Sequence, residues 1–363
     1  MRHIRKIDMS VDDLSNEQVI EMRKILGRQI KEATSESRHK KCMLCGELGG
    51  FCNSHTIPRF CLENIAWNGK LNSFNTLINS ELFSKDSGVN NAATFHIICR
   101  HCDSKMFQDY EKAEVYNTIP SVTVLNQIVL KTSLRDIYKH ETEIELFEAL
   151  KRMLKEKEPV LSFMITPIFN AQIKARTRDT EECYAIFRKA KEYLISSKAW
   201  LRVVSYDKLD YTVPIAFQGM VALVTGMNGE VINDNYNHKK SYNIEYLHLA
   251  VFPLKESTAV MLFLDSASMR YAQFEKYMAN TTLEDRLEII NRIIMLYTED
   301  YFLSKQLDEK TLKSLEDSAQ TLQDLLTTDP EKSLKNAIKD YDLRRDICIP
   351  NLFSRDYAVT LDD

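Results

Sequence analysis

No stretch of this 363-residue chain is apolar for long enough to cross a bilayer. The opening MRHIRKIDMS is basic without the apolar core of a secretory leader. Both absences point away from a membrane partner and towards a cytoplasmic protein. Nor is one sign of charge in excess. With 48 Lys+Arg against 52 Asp+Glu, the formal net charge is -4, so a nucleic-acid surface has to be a local patch. Internal repeats, low-complexity tracts and coiled-coil heptads are also missing, which excludes a solenoid or a long zipper. The C-terminal two-thirds contain no G-x-G-x-x-G, no phosphate-binding loop and no triad spacing, and no RNA-recognition signature is visible.

What is present is cysteine in pairs. In a cytosolic setting disulfides are rare, so paired cysteines are metal ligands or redox groups. Cys42 and Cys45 form one C-x-x-C, and Cys99 and Cys102 form another. Each such turn aims two sulfurs at one point, and two turns complete the tetrahedral shell that zinc prefers. A four-thiolate shell leaves no position for water, so the implied zinc is structural. Gly46, after the first pair, suits the tight knuckle. A redox pair is the competing reading, but it calls for a single C-x-x-C in a βαβ setting. Cys52 and Cys61 fall between the pairs, with Cys52 a weaker alternative ligand. The isolated Cys183 and Cys348 are expected to be buried fillers.

The chain divides into three parts. Residues 1–41 are expected to hold a helix over 15–34, with Ser15 and Gln18 at capping-box spacing, and a basic linker, TSESRHKK. Residues 42–118 form the cysteine-bearing module, with a loop-rich stretch at 74–93. Residues 119–363 change texture. A helical segment begins at Leu125, Ile128, Val129, Thr132 and Leu134, and a second helix covers 180–197. A β-rich block follows, WLRVVSY, TVPIAF, GMVALVTG, EYLHLAVF and TAVMLFLD, with turn signals at Asn228-Gly229 and Lys255-Glu256-Ser257. Strands arriving in succession through short turns predict an antiparallel sheet. Tyr246, His248, Phe252 and Phe263 are placed in that sheet. The C-terminal part returns to helix, with Thr281 and Glu284 as a capping box and Asp329-Pro330 as a helix start. The tail 343–357 has no periodicity and either docks or stays free. The expected class is α+β: a small zinc-stapled ββα (treble-clef) module, then a larger domain of helices and an antiparallel sheet that serves as a sensor, a partner-binding surface or an oligomerisation surface.

Between the pairs lies S54-H-T-I-P58, with His55 between an expected strand and a proline. A neutral imidazole with one ring nitrogen held by a backbone carbonyl keeps the other for a proton from water. Asp103, directly after Cys102, falls in the first turn of an expected helix, where a carboxylate could hold a hard divalent cation. The bland alternatives are a hydrogen-bonded structural histidine and a carboxylate favoured by the helix dipole. Asp109 and Glu111 are fallback ligands, with Glu111 two turns from Asp103 if the helix runs on. His96 and His101 read as packing or surface residues. Lys40, Lys41, Arg59, Arg100 and Lys105, with Arg38 and His39 ahead of them, either neutralise phosphates or form a solvated mixed-charge face.

The order C-x-x-C, S-H-x-I-P, a hydrophobic strand entering I-C-x-x-C and then an acidic residue resembles the zinc-stapled branch of the HNH, or His-Me finger, nucleases. The resemblance covers residues 42–112, a minority of the chain. It implies DNA as partner, His55 as general base, Ser54 where the family's metal-binding Asp often stands, and Asp103 in place of the second metal ligand. The metal would be Mg²⁺ or Mn²⁺. Two positions depart from the family pattern. Ser54 is a poorer metal ligand than aspartate, and Thr94 stands where the family usually has the Asn that orients the histidine, with Asn90 and Asn91 nearby. The S-H-x-I-P and C-x-x-C-[DE] combination is also similar to bacterial HNH-like proteins associated with phage defence and mobile elements. Two functions are therefore expected to compete: a metal-dependent DNA endonuclease, serving as a phage-defence effector, and a non-catalytic zinc treble clef that binds nucleic acid or a protein.

Overall fold

The computed structural model describes residue 28 and residues 39–73, 86–157, 159–196, 199–237, 239, 241–298, 300–315 and 334–360. The helix expected over 15–34, apart from residue 28, lies outside these residues, as do Arg38, residues 74–85 of the loop-rich stretch and the Asp329-Pro330 helix start.

From residue 39 the described chain runs into a hairpin around the first cysteine pair, closed by a bridge between Lys41 and Leu48. Strand β1 (Ser54–His55), helix α1 (Arg59–Ile65), strands β2 (Lys70–Ser73), β3 (Asp86–Gly88) and β4 (Thr94–Phe95), and helix α2 (Arg100–Met106) follow. Pro58 sits at the start of α1, where its missing N–H costs the helix nothing. A 3₁₀ turn, Ala113–Tyr116, leads into two long helices, α3 (Val122–Lys157) and α4 (Pro159–Ser196). Ser121 starts α3 by accepting from the Val124 amide at 3.3 Å. α3 and α4 form a hairpin. The apolar stripe Leu125, Ile128, Val129 and Leu134 turns inward, all of it buried.

The β-rich block supplies β5 (Leu201–Leu209), β6 (Ile215–Val221), β7 (Leu247–Pro253) and β8 (Thr258–Asp265). Helices α5 (Ala272–Asn280) and α6 (Leu283–Tyr297), the short strand β9 (Tyr301–Leu303), helix α7 (Leu334–Asp340) and a second 3₁₀ turn, Arg355–Tyr357, complete the order. Seven strands form one sheet, in the order β3-β2-β9-β6-β7-β8-β5, and every pairing in it is antiparallel. The protein is therefore α+β, with mixed helices and antiparallel sheets.

The sheet is covered on both faces, which is why its central strands read as nearly continuous apolar runs. Alternate residues serve opposite sides. Ala250, Phe252, Met261 and Phe263 join the core shared with the cysteine region, α3 and α4. Leu249, Val251, Leu262 and Leu264 join the core under α5 and α6. His248, buried, stacks on Phe263 with 5.2 Å between ring centroids. β2 and β3, which lie between the two cysteine pairs, continue this sheet, β2 pairing with β9 and β3 with β2.

Several local expectations differ in detail. TVPIAF and the start of GMVALVTG form the single strand β6, because Gly219 lies within the ladder opposite Leu249. Asn228-Gly229 does make a turn, with Gly229 at φ +82°, but it closes a small side hairpin at the Thr225–Val231 bridge and joins no two strands of the sheet. The Lys255–Ser257 turn does join sheet strands, β7 to β8, closed by a 2.7 Å bond from Leu254 N–H to the Ser257 carbonyl. The cap of α6 is Thr282, accepting from the Asp285 amide at 3.2 Å, one residue later than the Thr281–Glu284 spacing predicts. The tail docks: Leu352 and Phe353 are buried, and Asn291 donates to the Pro350 carbonyl at 2.9 Å. Cys183 is buried as expected, whereas Cys348 is exposed.

Candidate metal centre and the histidine beside it

The two cysteine turns meet although 57 residues separate Cys42 from Cys99. The Sγ atoms of Cys42, Cys45, Cys99 and Cys102 all lie within 4.8 Å of one another, and Cys45 and Cys99 are 3.8 Å apart. A regular tetrahedron with zinc–sulfur bonds of about 2.3 Å has sulfurs about 3.8 Å apart, so this donor set fits a zinc ion. All four are free thiols.

The backbone builds this cluster from both ends. On the first turn the Gly46 amide donates to the Cys42 carbonyl at 2.8 Å, and Gly46 takes φ +78°, which a side chain would resist. On the second, Cys99 caps α2, its sulfur accepting from the Cys102 amide at 3.5 Å. The Cys99 amide in turn points at the Cys42 sulfur, 3.3 Å away. Burial pushes the Cys42 thiol up, but the amides of Cys45, Cys99 and Leu44 outweigh it and hold the thiol at about 7, which favours thiolate. Cys52 stands outside the cluster. Burial, together with the nearby Asp103, raises its thiol to about 11, so it stays protonated.

α2 carries Asp103 one residue beyond the cluster, and β1 brings Ser54 to it. Ser54 Oγ donates to Asp103 Oδ1 at 2.6 Å. The third member is Lys131 of α3, which the sequence reading did not single out. Its Nζ donates to Ser54 Oγ and to Asp103 Oδ1, each at 2.7 Å. The Lys131 side chain is 1% exposed and that of Asp103 27%. Phe107 presents its ring face 4.4 Å from the ammonium, with Tyr110 and Phe95 farther out. A signal for Lys131 did exist: it lies three residues after Ile128 and three before Leu134, inside the buried stripe, where a cation needs a partner.

His55 is half-buried. Its Nε2 lies 3.0 Å from the Val89 carbonyl, so that nitrogen carries the proton and Nδ1 keeps its lone pair. The orienting group is thus a main-chain carbonyl. Thr94 lies opposite His55 in the β1–β4 ladder and donates to the Asn91 carbonyl, while Asn90 and Asn91 are exposed. Burial lowers the His55 pKa; the Val89 carbonyl opposes this, and Lys131 and Arg59 add to the lowering. The imidazole is accordingly neutral near pH 7. Among the described residues no hydrogen bond joins His55 to Asp103. The following residue is anchored firmly: the Tyr110 hydroxyl donates to the Thr56 carbonyl and sits 2.8 Å from Gln218 Oε1 of β6.

The remaining candidates spread around this centre. Lys40, Lys41, Arg100 and Lys105 are exposed, and Arg59 pairs with Glu63 at 2.9 Å. His39 pairs with Glu141 of α3 at 2.6 Å. Asp109 is occupied by Lys112 at 2.8 Å on the surface. Glu111 does not share a helix with Asp103, since α2 ends at Met106, yet its carboxylate reaches within 3.8 Å of Lys131 Nζ. His96 lies 6.0 Å from the Tyr138 ring, and His101 is exposed.

A divalent cation does not fit between Ser54 and Asp103 as they stand. The oxygens it would need already bond to each other and to an ammonium, and two cations within bonding distance of one carboxylate oxygen repel. Among the described residues no helix is long and apolar enough to cross a membrane. No protein-family model, curated protein or solved structure matches this chain.

Proposed function

We propose that the cysteine region is a zinc-stapled treble clef of the HNH, or His-Me finger, type and that it hydrolyses DNA phosphodiester bonds with His55 as general base. The observation that carries this reading is the His55 ring: neutral, held through Nε2 by the Val89 carbonyl, and beside a charged cluster that the cysteine centre positions. When bound, zinc holds the two knuckles together and leaves the chemistry to the side chains.

In this reading His55 Nδ1 takes a proton from water as the water oxygen bonds to phosphorus. The bond from phosphorus to the leaving sugar oxygen then breaks, and that oxygen collects a proton from solvent. Arg59, close enough to His55 to depress its pKa, and the exposed Lys40, Lys41, Arg100 and Lys105 offer charge to neighbouring phosphates. The test is nicking of supercoiled plasmid by zinc-loaded protein, with and without added Mg²⁺ or Mn²⁺. The expected result is activity in the wild type that falls at least about 100-fold in His55→Ala, the scale of a lost general base. Equal activity in the mutant rules out the mechanism.

One observation favours the competing function, a zinc module that binds DNA or a protein without cutting. Ser54, Asp103 and Lys131 satisfy one another, as a purely structural cluster would. Under that reading the protein retards DNA in a salt-sensitive way, nicks none of it, and His55→Ala changes nothing.

A further inference from the structure

We infer that the Lys131 ammonium fills the cation position between Ser54 and Asp103, so that this site takes no Mg²⁺ or Mn²⁺. The claim about binding stands by itself. The claim that Lys131 also supplies the positive charge beside the reacting phosphate rests on the nuclease reading.

The geometry is that of an occupied cation site. Nζ is 2.7 Å from a serine oxygen and 2.7 Å from a carboxylate oxygen, and those two oxygens are 2.6 Å from each other. A second carboxylate, that of Glu111, stands at 3.8 Å. Aromatic faces line the remaining side, Phe107 at 4.4 Å, a surface that attracts the alkylammonium. The stem of Lys131 is fixed within α3, and the side chain is buried to 1% exposure, so the charge cannot swing out to water without opening the core. Its loss from this position would also strand Asp103 beside an empty aromatic pocket. Serine where the family pattern has aspartate is consistent with this. Asp103 and Glu111 already face the single ammonium, and a carboxylate at position 54 would add a third negative charge around it.

The test uses zinc-loaded full-length protein and Mn²⁺ as the probe, followed by electron paramagnetic resonance. Wild type should leave Mn²⁺ free up to about 1 mM, the weak end of oxygen-ligand sites. Lys131→Gln, which removes the charge, should gain one Mn²⁺ site, and Lys131→Gln with Asp103→Asn should lose it again. Lys131→Arg keeps the charge and should resemble wild type. Zinc content and circular dichroism report whether each variant is folded. If Lys131→Gln does not fold, the wild type and Lys131→Arg still decide the matter. Stoichiometric Mn²⁺ binding to the wild type that Asp103→Asn abolishes overturns the inference. So does a folded Lys131→Gln with no Mn²⁺ site. Plasmid nicking in resin-treated, divalent-free buffer is a separate readout. The expected rate is within about twofold of that with Mg²⁺, a difference well under 1 kcal/mol in barrier. A strict Mg²⁺ requirement contradicts the catalytic claim. Absence of nicking in both buffers sinks the nuclease reading and leaves the Mn²⁺ result to stand or fall alone.

Discussion

The pair formed by Lys131 and Asp103 can be weighed by a double-mutant cycle with Lys131→Met and Asp103→Asn, both close in shape to the native side chains. At 2.7 Å, two unit charges in an effective dielectric of about 20 attract by about 6 kcal/mol before solvation is counted. Asp103 is 27% exposed and keeps part of its hydration, so the net value falls towards that of a charged hydrogen bond, about 1.5–3 kcal/mol. The expected coupling is therefore about 2 kcal/mol. Lys131→Met alone should cost about 3 kcal/mol, the low end for breaking a buried pair, because the abandoned carboxylate can turn to water. Urea denaturation of the four zinc-loaded proteins at constant pH measures both quantities, provided the urea slope is unchanged. A coupling below about 0.5 kcal/mol would mean a solvated contact of the surface kind and would refute the description of Lys131 as a locked internal cation.

Two further outcomes follow from titration. Burial and the neighbouring Asp300 raise the Asp136 carboxyl to about 7 against the partial compensation of Lys139 and Arg135. The folded state thus holds a proton that the unfolded chain releases, so this group's contribution is largest in acid and is lost as pH rises through about 7. Between pH 5.5 and 7 the loss is about 2 kcal/mol, at 1.36 kcal/mol per unit. Denaturation at those two pH values should show it as a difference between wild type and Asp136→Asn, and parallel curves would refute it. For His55 the lowered pKa means that the acidic midpoint of nicking should lie below the usual 6.5. A midpoint above 6.5 would point to another base.

The parts of the molecule legible beforehand are those written in local patterns. Two C-x-x-C pairs need only a shared point in space, and the alternation in LHLAVF and TAVMLFLD follows from the pleat, so the cysteine cluster and the antiparallel ladder were both accessible. What escaped depends on partners remote in sequence. β2 finds β9 some 230 residues later, a pairing that no local pattern encodes. Lys131 takes its meaning from Ser54, 77 residues before it, and from Asp103, 28 residues before it. The Val89 carbonyl that holds His55 is main chain, and no residue type announces it. The family pattern calls for an Asn side chain near Thr94, and this fold uses backbone instead.

Metal analysis of the purified chain bears most directly on all of this, because the sulfur cluster is what fixes α2, Asp103 and the strand bearing His55 in register. One zinc ion per chain is expected, lost in Cys42→Ser and Cys99→Ser alike, with the four thiols shielded from a thiol reagent until the metal is stripped. Protein that is folded, zinc-free and reactive at all four cysteines would contradict the account.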